Sequence, residues 1–184
     1  MSQTAGQEEP AVRPSTFVSR DDLPGVRARE EINMLLTAHD PEVAKANLAQ
    51  LTERHSPLLR EIAREPATSA VNPSLRRNAI TALGHLVSVD NLNLLTDLAR
   101  RDDDELVRAS ALTSLANTGL QLAVPVLADA TGSPHPVEAV AAQKSLAVLT
   151  ARLGPAAVEA VLRPEQQRLV AQTSRGQTAA DDDR

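Results

Sequence analysis

The chain carries few groups suited to covalent chemistry. Its four histidines, His39, His55, His85 and His135, stand far apart, and no two share a helical turn, where neighbouring imidazoles could hold one metal ion. Cysteine is absent, which removes thiolate ligands, thiol nucleophiles and disulfides. No serine sits in a Gly-x-Ser-x-Gly elbow, and the glycines are too scattered to cradle a phosphate. The sequence therefore predicts no catalytic residue, no cofactor site and no metal. What recurs is charge: Glu65, Asp97 and Asp129 are spaced 32 residues apart, and Glu159 follows 30 further on. Carboxylates repeated in this way could recognise a basic helix or tail through many weak ion pairs, and the plainer alternative is a solvated helical face. Arg76 and Arg108 keep the same interval, which suits bonds to carbonyls or carboxylates between repeats better than bonds to phosphate. Phe17 is the only aromatic side chain and lies in a short apolar patch, residues 11–18, of the kind that docks on another surface.

The elements that would position these groups repeat with them. Leu75, Arg76, Ala79, Ile80, Thr81 and Leu83 are followed 32 places later by Val107, Arg108, Ala111, Leu112, Thr113 and Leu115. A period of this size predicts stacked helical hairpins. A third copy stands earlier, with Asp40, Pro41, Val43, Leu48 and Leu51 opposite Asn72, Pro73, Leu75, Ile80 and Leu83, and with Asn47 in the place of Ala79. A weaker fourth matches Val137, Ala141 and Leu146 to Val107, Ala111 and Leu115 at an offset of 30 or 31. In each copy the apolar residues fall three and four apart, as on one helical face; Leu94, Leu95 and Leu98 do so in a second helix, answered by Val126, Leu127 and Ala130. Asp40-Pro41 and Asn72-Pro73 place a capping side chain before a proline at the first helical position, and Asp104 stands equivalently. Gly84 and Gly119 read as helix ends, Gly132 and Gly154 as turns.

The units Asn72-Pro73-Ser74-Leu75-Arg76 with Leu83-Gly84, and Asp104-Glu105-Leu106-Val107-Arg108 with Leu115-Ala116, resemble the HEAT-like repeats first noted in phycobilisome lyases. The resemblance covers about residues 40–162. It implies an all-α right-handed superhelix of about four hairpins, with the second helices, and hence the recurring carboxylates, on the inner surface. It also implies a binding or scaffolding module, with an accessory subunit of an enzyme as the alternative. The paired His-Glu ligands of HEAT-like metalloenzymes are missing here, because the histidines are followed by Asp40, Ser56, Leu86 and Pro136. A lyase-type chromophore pocket is poorly served by a chain with one aromatic residue.

Composition sets the remaining bounds. At 184 residues the chain is long enough for one shallow, continuous core, and without tryptophan or tyrosine that core must be Leu, Val, Ile and Ala. A net charge of −5 and the lack of stacking aromatics disfavour nucleic acid. No apolar run is long enough for a membrane span, and the first residues lack the apolar stretch of a secretory signal, which makes the cytoplasm the expected compartment. The strong preference for arginine over lysine suggests a bacterial source. Residues 1–22 and 174–184 are expected to be disordered, with a repeat domain at 23–173, opened by a lead-in helix carrying Ile32, Leu35 and Leu36 and closed by a short helix at 164–170. The expected function is non-catalytic binding of a protein partner.

Overall fold

Short polar side chains set where the helices begin. Asp40 accepts the amide protons of Glu42 and Val43, Asn72 that of Ser74, Asp104 that of Leu106 and Ser88 that of Asn91, each satisfying donors that an opening helix turn leaves unpaired. The computed structural model describes residues 24–38, 40–66 and 72–163, and among these the chain forms nine α-helices and no strand. They are α1 (Pro24–Leu36), α2 (Pro41–Gln50), α3 (Ser56–Arg64), α4 (Pro73–His85), α5 (Val89–Arg101), α6 (Glu105–Asn117), α7 (Val124–Ala130), α8 (Pro136–Leu153) and α9 (Pro155–Arg163). Short 3-10 turns at Glu53–His55 and Gln121–Ala123 lead into α3 and α7.

The hairpins stack as the 32-residue interval predicts. The first helices α4, α6 and α8 lie one on the next, and each second helix, α3, α5 or α7, packs into the first helix of the following hairpin. Ala79, Ile80 and Leu83 of α4 and Ala111, Leu112 and Leu115 of α6 are fully buried, as is Leu95 of α5. The small alanines bring the helix axes close, while the leucines fill the space between layers. The result is an all-α solenoid of helical hairpins.

Gly84 stands one residue before the end of α4, near the helix end that its position suggests, and has a second role there. It lies inside α4, where a Cβ would stand 2.7 Å from the Ser114 carbonyl oxygen and 2.9 Å from the Ser114 Cβ, so its bare backbone permits the close crossing of α4 and α6. Gly119 and Gly154 do end helices, with φ of 69° and 89°, a region that L side chains rarely adopt.

The two outer copies differ from the expected register. Val43, aligned with buried Leu75, is half exposed, and α4 takes its N-terminal neighbours from α3 and from α1. The cause is local: Asn47, in the place of an alanine, donates to the Leu35 carbonyl at 3.1 Å, and Asn78 donates to the Leu36 carbonyl at 2.7 Å. The end of α1 is thus held between α2 and α4, with Ile32 and Leu36 buried as the covering residues of the stack. In α8 the buried set is Glu138, Ala142, Ser145 and Leu149, in phase with Val107, Ala111 and Ser114 at an offset of 31. The offset of 30 that paired Val137 with Val107 and Ala141 with Ala111 is therefore wrong, and those two residues face outward.

Candidate protein-binding surface

Between the layers, the repeated arginines bind to the chain itself. Arg76 donates from Nε to the Ala63 carbonyl at 3.0 Å and from both terminal nitrogens to the Asp102 carboxylate. Arg108 donates to the carbonyls of Asp102 and Asp103 at 2.7 and 3.3 Å, and its Nε lies 2.9 Å from Glu138 Oε2. Both guanidiniums are thus committed to turns and carboxylates between repeats, as the recurrence predicts, and neither is free for a phosphate.

The recurring carboxylates lie on successive second helices but are not equivalent. Glu65 ends α3 and lies 3.0 Å from Arg29, which also reaches Glu61 at 3.1 Å. Asp129 on α7 lies 3.7 Å from Arg100, and Glu159 on α9 lies 2.7 Å from Arg163. Asp97 on α5 is exposed, and among the described residues it has no ion-pair partner. Three of the four carboxylates therefore already face a cation of their own chain. Phe17, His39, the N-terminal arm at 1–22, the closing segment at 164–170 and the tail at 174–184 lie outside the described residues. His55 is buried, its Nδ1 accepting the Thr52 amide proton at 2.9 Å; His85 ends α4 at the surface; and His135 is the exposed residue before α8. These three histidines lie in separate parts of the stack.

A second surface appears only once the helices are packed. Leu106 on α6 and Val137, Val140 and Val148 on α8 are 43–52% exposed. The three valines, with Ala141 and Lys144, form one wall of an open groove of about 320 Å³, and Thr113, Ala116 and Asn117 of α6 form the other. The spacing of Val137, Val140, Ala141, Lys144 and Val148 is that of one helical face. Residues 63–147 match the family model for HEAT repeats. These residues carry HEAT repeats. The match is to HEAT repeats as such and does not single out the phycobilisome-lyase type. No curated protein matches the chain. The matched stretch contains α4 to α7 and most of α8, and so includes the groove lining except Val148. Among the described residues of the HEAT array, no single helix is long and apolar enough to cross a membrane.

Signals for the groove were present in the sequence in weak form. Apolar residues surround α8 on most sides, so the pattern alone does not say which face the neighbouring layer covers.

Proposed function

We propose that this HEAT-repeat chain is a non-catalytic protein-binding or assembly module, bacterial and cytoplasmic, that presents its stacked helices to a protein partner. HEAT repeats commonly serve protein interaction or scaffolding. The observation that carries the reading is the half-exposed aliphatic set Val137, Val140 and Val148, gathered along one groove. Scattered apolar residues on a surface need no explanation, whereas a contiguous group rimmed by polar side chains marks an interaction site.

The carboxylates Glu65, Asp97, Asp129 and Glu159 offer a second contact, suited to a basic helix or tail. Asp97 is open to a new cation, while the other three would exchange one arginine for another. Such exchanges between exposed ion pairs contribute little each, so this face acts collectively and weakens as salt rises. Phe17 is the corresponding candidate in the N-terminal arm.

The test is recovery of the tagged full chain from its native cell at low salt, with associated proteins quantified. A protein partner retained after nuclease treatment, and reduced by substitutions at either surface, supports the reading. Recovery of nucleic acid in place of protein would reject it.

A further inference from the structure

We propose that the groove between α6 and α8 seats an amphipathic helix of another protein, one with aliphatic side chains along one face and carboxylates placed to meet Lys144 and Arg152. The inference rests on the protein-binding reading above and specifies the partner's chemistry.

The outer face of α8 is the observation that carries it. The adjoining face, with Ala142, Ser145 and Leu149, is buried against the array, while Val137, Val140 and Val148 stay about half exposed. From Val137 to Val148 the helix rises about 16 Å, or three turns, the length over which an incoming helix presents anchors at i, i+3 or i+4, and i+7. Small side chains, Ala116 on one wall and Ala141 on the other, let a second helix approach closely.

Charge selects the occupant. Lys144 is exposed in the groove wall, and among the described residues it faces no carboxylate. Arg152, two turns further along the same stripe, donates to the Asn117 carbonyl at 3.0 Å, which fixes its position, and among the described residues it has no carboxylate partner. At the other end, the Glu105 carboxylate accepts the Val137 amide proton at 3.1 Å, and Glu138 is paired with Arg108. The groove is therefore aliphatic along its length and cationic toward its C-terminal end. A second copy of this chain is a poor occupant: a two-fold axis through the groove would set α8 against its own mate, bringing Lys144 toward Lys144, with no acid of the described groove residues between them. A helix bearing aliphatic anchors and glutamates satisfies both the apolar surface and the unmatched cations.

The experiment uses the full chain and two synthetic helical peptides with the same leucine spacing and one tryptophan, one peptide carrying glutamates beside the leucines and the other lysines. Since the chain has no tryptophan or tyrosine, the peptide's fluorescence reports binding directly. The glutamate peptide should bind saturably and at least tenfold more tightly than the lysine peptide. Val140→Asp with Val148→Asp should abolish binding while circular dichroism stays unchanged, since both sites are exposed. Lys144→Glu with Arg152→Glu should reverse the preference. Carbodiimide coupling should join Lys144 to a peptide glutamate. Binding of neither peptide, equal binding of both, or binding that survives the valine substitutions would overturn the proposal. So would coupling of Lys144 to a carboxylate of its own chain or of a second copy, since the groove would then have another occupant. If the peptides fail but capture of a native protein persists and is lost on changing Glu65, Asp97 and Asp129 to Lys, the groove assignment falls and protein binding stands.

Discussion

The Arg76 guanidinium grips the Asp102 carboxylate through two nitrogens, with the two side chains only 8% and 9% exposed, and so ties α4 to the end of α5. The same arginine also holds the last turn of α3 through the Ala63 carbonyl, so one side chain joins three helices. Replacing Arg76 with Ala leaves a buried carboxylate without its cation and should cost about 3–5 kcal/mol. Arg163→Ala removes an exposed pair and should cost less than about 1 kcal/mol. Denaturant midpoints measured side by side check the contrast; equal small effects would show that the Arg76 pair is not needed between the layers.

The repeat alignment can be tested where it succeeds and where it breaks. Leu83→Asp and Leu115→Asp each place a charge at a fully buried site and should cost several kcal/mol, enough to unfold a small array. Val43→Asp, at the half-exposed position aligned with Leu75, should change stability by less than about 0.5 kcal/mol. Melting followed by circular dichroism separates these outcomes, and a large loss from Val43→Asp would mean that α2 stacks as the other first helices do.

Gly84 provides a test of the α4–α6 crossing. Helix propensity alone favours alanine over glycine by about 1 kcal/mol. Steric contact with the Ser114 backbone should outweigh that gain, so that Gly84→Ala lowers the melting temperature, while Gly25→Ala, which meets nothing within 4 Å, should leave it unchanged or raise it. Thermal melts of both variants decide the sign.

For the second-helix carboxylates, changing Glu65, Asp97 and Asp129 together to Lys should preserve helicity and reduce capture of a basic partner at low salt. Loss of the effect on raising salt is expected for exposed charges within a Debye length of about 10 Å at 0.1 M. Undiminished capture would assign these residues to a solvated face, the role that pairing with Arg29 and Arg100 already favours.

Most of the architecture was legible in the residues because it depends on short-range rules. Asp40, Asn72 and Asp104 cap the helices that their positions suggest, and the interval of 32 places Leu83 and Leu115 in equivalent buried sites. Arg76 and Arg108 bond between repeats for the same reason: a side chain repeated with the core is repeated into the same surroundings. The misreadings arose where a contact is made between distant segments. Nothing near Gly84 announces Ser114 as its neighbour, and nothing in α2 announces that Asn47 and Asn78 will together hold the end of α1. The fourth copy slipped by one residue because α8 is apolar on several faces, and a one-residue change of phase moved Val137 and Ala141 from the core to the groove. Glu138, in phase with Val107 at the offset of 31, proves to be the partner of Arg108.

The measurement that bears most directly on the account is purification of the full chain from its native cell, followed by native mass spectrometry and hydrogen exchange of whatever complex is recovered. Protein binding through the HEAT array predicts a defined complex with a protein partner, insensitive to nuclease, in which amides of α6 and α8 exchange more slowly than in the free chain. Recovery of the chain alone or with nucleic acid, or a protein complex in which no helix of the array gains protection, would contradict it.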